Sequence, residues 1–85
     1  MLGPKDCRFL REILGGKGTN VSYSDLARVL KRARWELAGS RGSHRTWLSE
    51  AGARIVLVDA GSGEVLPVYA KRAAAAVLEE GACGN

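Results

Sequence analysis

Histidine occurs once in this chain of 85 residues, at His44. A single imidazole rules out paired-histidine acid–base chemistry within one chain. Cysteine is nearly as scarce, with Cys7 and Cys83 near opposite ends. They form no CxxC pair and have no metal-ligand spacing, so no metal and no cofactor are expected. Two cysteines in such a chain argue for free thiols, with a bridge between tethered termini as the alternative. No stretch approaches the ~18 apolar residues of a membrane span, and the first residues lack the hydrophobic core of a signal peptide. The expected setting is therefore cytoplasmic, with no membrane partner. Prolines number two, against eleven glycines. With 46% hydrophobic and 26% charged residues, this is the composition of one globular domain rather than a disordered tail.

Acidic residues are the other shortage. Thirteen Lys and Arg against nine Asp and Glu leave a formal charge of +4. That excess favours an anionic partner, either nucleic acid or an acidic protein. It is concentrated in Arg28, Lys31, Arg32 and Arg34, with Arg41 and Arg45 soon after. Together these side chains could form a phosphate-tracking surface around His44, or simply a solvated helix face.

Lys5 to Leu14 reads as a short amphipathic helix, with Phe9, Leu10, Ile13 and Leu14 on its apolar side and Gly15-Gly16 at its end. The following GGKGTN lacks the four-residue spacer of a phosphate loop and has no preceding strand, so it reads as a linker. A second helix is capped by Ser22 with Asp25 three positions on. Leu26, Val29, Leu30 and Ala33 recur at helical spacing, away from Arg28, Lys31 and Arg32. A first strand follows around Trp35 to Ser40, with Trp35 as a core or boundary residue. From His44 onward His44, Thr46 and Leu48 alternate with Arg45, Trp47 and Ser49. Arg54 to Asp59 is a third strand, and its continuous Ile55-Val56-Leu57-Val58 predicts burial on both faces. Ala60 to Gly63 breaks the sheet. Pro67 then opens a last helix whose inward stripe is Ala70, Ala73, Ala74, Val77 and Leu78, with Gly81 beyond it.

The expected order is α-α-β-β-β-α, an α+β fold with a three-stranded antiparallel meander packed by helices. It divides into a helix and glycine-rich linker at 1–20, a main domain at 21–81 and a tail at 82–85. The stretch Arg41 to Trp47, RGSHRTW, holds the best candidate site. His44 can exchange protons near neutral pH, and Gly42 allows a tight turn or a close approach to a ligand.

In that order these residues resemble the HicA family of small bacterial toxins, messenger-RNA interferases of type II toxin–antitoxin pairs. The matching features run from Val21 to Gly81. They are the helix SDLARVLKRARWEL, a basic residue before GSH with an aromatic three positions on, a short hydrophobic strand, and the final VLPVYAKRAAAAVLEEG. The resemblance implies a double-stranded-RNA-binding-like α-β-β-β-α fold, here with an extra N-terminal helix. It also implies a catalytic role for His44, with Gly42 and Ser43 as its setting, an mRNA substrate, and a HicB-like antitoxin that covers the histidine. Many members carry a second histidine directly after the first, and here that place is Arg45.

RNA supplies its own nucleophile, the 2′-hydroxyl, so one imidazole suffices to start cleavage without a metal. Arg41 or Arg45 would stabilise charge on the phosphate, Arg41 being favoured because Arg45 alternates to the other strand face. Lys31 and Arg32 are further candidates for holding RNA. Two alternatives stand beside this reading. One is a non-catalytic RNA-binding or antitoxin-binding module of the same fold. The other is a DNA-binding regulator using the basic second helix, disfavoured because no helix-turn-helix pairing surrounds it.

Overall fold

A computed structural model describes residues 1–16 and 21–84. The linker expected through Lys17 to Asn20 lies outside these residues. Helix α1 spans Pro4–Leu14, strand β1 Val21–Ser22, α2 Tyr23–Arg32, β2 Glu36–Arg41, β3 His44–Leu48, β4 Arg54–Val58, β5 Glu64–Val65 and α3 Pro67–Glu79. The fold is α+β: a three-stranded antiparallel sheet ordered β2-β3-β4, flanked by helices, with the extra helix in front.

The helices begin and end for local reasons. Ser22 Oγ accepts a hydrogen bond from the Asp25 N–H at 3.3 Å, satisfying one orphan donor at the start of α2. Arg34 takes φ 68°, a left-handed conformation unusual for a residue with a side chain, and the Trp35 N–H donates to the Leu30 carbonyl at 2.9 Å. That turn redirects the chain from α2 into β2 and drives Trp35 into the core, where it is 2% exposed. The strand consequently starts at Glu36, one residue later than the spacing predicts. Pro67 opens α3, where its missing N–H costs no helical bond.

One apolar cluster unites the layers. Leu10 from α1, Leu26 and Leu30 from α2, Trp47 from β3, Leu57 from β4 and Val77 from α3 all belong to it. Ala70, Ala73 and Ala74 are each 0% exposed, and their small side chains let α3 approach β4 closely. Thr46 pairs with Val56 in the ladder between β3 and β4. Ile55 and Leu57 face the helices, but Val56 on the other face is only half-buried. Burial on both faces therefore holds for β4 only at Val58, beside the chain as it returns: the Leu66 N–H donates to the Val58 carbonyl at 3.0 Å.

Two features depart from the expected order. Strands β1 and β5 pair as a separate two-stranded sheet, Val21 with Val65 and Ser22 with Glu64. Each is two residues long, too short to show an alternating pattern. The cysteines are joined as a disulfide, with Cα atoms 5.9 Å apart across a separation of 76 residues. Free thiols were the favoured expectation, and the tethered-termini alternative is what the fold adopts. The Leu2 N–H donates to the Ala82 carbonyl at 2.7 Å beside the bridge, so the chain ends are also held by backbone pairing.

A domain of this size is expected to have about 4–13 kcal/mol of total stability. Closing so long a loop contributes about 2–5 kcal/mol by restricting the unfolded chain. Replacing both cysteines by serine is therefore expected to remove a large fraction of the stability, measurable as a lower midpoint in urea unfolding. Loss of under 0.5 kcal/mol would show that the bridge constrains little.

Candidate functional site

The RGSH stretch forms the tip of the β2–β3 hairpin. Arg41 and His44 are cross-strand partners, so Gly42 and Ser43 make a two-residue turn between them. Gly42 has φ 58° and no positive φ occurs at Ser43, as a type II′ turn requires. The tip is braced from behind, where the Asp59 N–H donates to the Ser43 carbonyl at 3.0 Å. The Asp59 carboxylate meanwhile accepts from the N–H groups of Gly61 and Gly63, at 2.7 and 3.2 Å, and shapes the loop after β4.

Directly paired residues present their side chains on one face of a sheet. Arg41, His44 and Val58 therefore form one row across the three strands. Thr46 and Leu48 share this face, which is the one away from the helices. The opposite face carries Trp47 and Ser49, both buried. His44 and Arg41 are exposed, and neither has a side-chain partner among the described residues. The imidazole and the guanidinium are thus both available to an incoming ligand.

Arg45 is differently placed. Its Nη1 donates to the Gly42 carbonyl at 2.6 Å, and its guanidinium carbon lies 5.9 Å from the Tyr23 ring centroid. Tyr23 opens α2, so this contact ties the hairpin tip to the helix layer. Arg45 is thus engaged in holding the turn. Sequence reasoning missed Tyr23 and Asp59 in these roles. The D-x-G spacing of Asp59 and Gly61 was a readable turn signal, whereas nothing local marks Tyr23.

The remaining basic residues do not gather around His44. Arg32 Nε is 3.0 Å from Asp6 Oδ2, joining α2 to α1. Arg28 pairs with Asp25 at 3.4 Å, and Arg34 with Glu50 at 3.9 Å. Lys31 shares a hollow with Arg34, Glu36, Leu48 and Glu50. That hollow sits at the Leu48 end of β3, about 13 Å along the strand from His44 by the usual rise per residue. The Arg28–Asp25 and Arg34–Glu50 pairs are exposed on both sides and weak, worth about 1 kcal/mol or less, whereas Asp6 is partly buried in its pair with Arg32. No group of three or more His, Cys, Asp or Glu among the described residues could hold a metal ion. No described helix is long and apolar enough to cross a membrane.

Comparison with protein-family models, curated proteins and solved structures finds no match.

The turn itself can be tested. A Cβ at Gly42 would meet nothing within 4 Å, so the cost of Gly42→Ala is conformational. It is expected to destabilise the protein by about 1–3 kcal/mol, read by thermal or urea unfolding. An unchanged midpoint would mean that the tip does not hold this conformation.

Proposed function

We propose that this chain is an endoribonuclease, an mRNA interferase of the HicA kind that acts independently of the ribosome. The observation that carries the reading is the exposed His44 beside Arg41 at a braced hairpin tip, within the GSH motif and the element order of that family. Neutral His44 accepts the 2′-hydroxyl proton as that oxygen attacks the adjacent phosphorus. Arg41 faces the same side and stabilises charge on the non-bridging phosphate oxygens. The 5′-oxygen leaves, taking a proton from solvent at this open site, and a 2′,3′-cyclic phosphate remains. No metal is needed because the nucleophile belongs to the substrate. Lys31 and Arg32 would contact more distant phosphates. A HicB-like antitoxin with an acidic surface would silence the enzyme by covering His44 and Arg41, its rim charges setting association rate and salt dependence.

One observation supports a second reading, a non-catalytic module that binds RNA or the antitoxin. Arg45 holds the turn where a second histidine is frequent in that family, leaving one imidazole for two proton transfers.

Purified wild-type and His44→Ala proteins incubated with labelled RNA and a chelator separate these readings. The wild type is expected to cut, and the variant to lose about 10²–10⁴ in rate while keeping its circular dichroism and most RNA affinity. Arg41→Ala is expected to weaken binding and flatten its salt dependence by about one phosphate contact. Equal cleavage by wild type and His44→Ala would sink the catalytic role. A wild type that binds a broad RNA panel without cutting would favour the module.

A further inference from the structure

Strand β2 is the least protected element of the fold. All six of its residues are exposed, and β3 is its only strand neighbour among the described residues. Its outer edge therefore presents backbone groups that no strand pairs. Even Leu37, which lies on the helix side opposite Trp47, remains 47% exposed. Glu36 and Arg41 close the strand at its two ends, and neither has an ion-pair partner among the described residues.

We propose that β2 pairs antiparallel with β2 of a second copy of this chain, joining two three-stranded sheets into one. The pairing sets Glu36 against Arg41 of the other copy, Leu37 against Ser40, and Ala38 against Gly39, each twice by symmetry. The ends attract, and the centre carries only small residues.

The β-bulge makes this geometry available. In a regular strand, residues an odd number of positions apart point to opposite faces, so Glu36 and Arg41 could not meet across a two-fold axis. Here the register shifts between Leu37 and Gly39, leaving Ala38 as an extra residue. Glu36, opposite Leu48, and Arg41, opposite His44, consequently share the open face. Leu37, opposite Trp47, and Ser40, opposite Arg45, share the helix side. Outside the central Ala38 and Gly39, the strand has the same sequence of facings from either end.

The backbone agrees. Arg41 and His44 flank a two-residue turn, so their N–H and C=O groups point at each other. Alternation turns those of Ser40 outward, and across the bulge those of Leu37 as well. Leu37 and Ser40 thus form the hydrogen-bonded pairs of the new ladder. Glu36 and Arg41 fall in the closer, non-hydrogen-bonded pairs, where opposite charges interact best. A bulged edge is a poor template for a regular strand. Against a copy of itself the two irregularities coincide, and this selects the chain itself over an arbitrary extended peptide. The pairing also sets Glu36 of the second copy beside Arg41 in the row that holds His44.

A strand-only contact is small, so the dimer is transient, forming at about 10 µM to 1 mM. Sedimentation equilibrium without RNA tests it independently of the ribonuclease reading. The wild type is expected to self-associate in that range. Glu36→Arg and Arg41→Glu proteins are each expected to associate at least about tenfold more weakly, because like charges then face each other at both ends. An equimolar mixture of the two variants restores opposite charges at both ends and is expected to regain association. Amide exchange of the unsubstituted chain adds a readout that needs no variant: protection at Leu37 and Ser40 should rise with protein concentration. A wild type monomeric to about 1 mM, variants that associate as the wild type does, a mixture no stronger than its components, or concentration-independent exchange at both amides would each overturn the proposal.

Discussion

Burial of Trp47 under the helices sets the phase of the whole sheet. Its side chain is 1% exposed, and the alternation of β3 then turns Arg45 and Ser49 towards the helices and His44 and Thr46 away from them. A slip of one residue would exchange the two faces and send His44 into the core. The indole Nε1 has no hydrogen-bond partner among the described residues, a cost of about 1–3 kcal/mol. Burying roughly 200 Å² of indole is worth about 5 kcal/mol, so burial outweighs the lost hydrogen bond. Alanines on α3 make room for the neighbouring strand, and Trp35 enters the same cluster from the αL turn at Arg34. The exposure of the candidate site on one face is thus a consequence of apolar packing on the other.

The same face is anchored at both ends of β3. At the Leu48 end, Ser49 Oγ donates to Glu80 at 2.8 Å and accepts from the Ala53 N–H at 3.0 Å, linking the turn after β3 to the end of α3. At the His44 end, Arg45, Tyr23 and Asp59 brace the tip. A two-residue turn projecting from a sheet edge would otherwise be mobile. Bracing from behind holds the backbone of the tip while leaving the His44 and Arg41 side chains exposed.

Charge is distributed on the same plan. The three arginines on and just after α2 are matched by Asp25 within the helix, by Asp6 of α1 and by Glu50 after β3, so two of the pairs join neighbouring elements. Arg41 at the hairpin tip has no ion-pair partner among the described residues. α1 belongs to the same core through Leu10 and Ile13, and the Asp6–Arg32 pair and the Cys7–Cys83 bridge hold it there. It is part of the domain's packing as well as its leading segment.

Features legible in the sequence were those with short-range causes. Helical spacing of Leu26, Val29 and Leu30, the Ser22 cap, Pro67 and the alternation through His44 and Trp47 each depend on residues within one turn or one strand. Their elements appear close to where these patterns place them. The sequence likewise singled out His44, because it is the chain's one histidine. Tertiary structure alone decided the Cys7–Cys83 bridge, the pairing of β1 with β5, the contact of Arg45 with Tyr23, and which arginines meet carboxylates. It also decided the bulge at Ala38, which depends on how β2 registers against β3. Apart from the local Arg28–Asp25 pair, each of these joins residues separated along the chain, so its existence rests on distances that no local periodicity encodes.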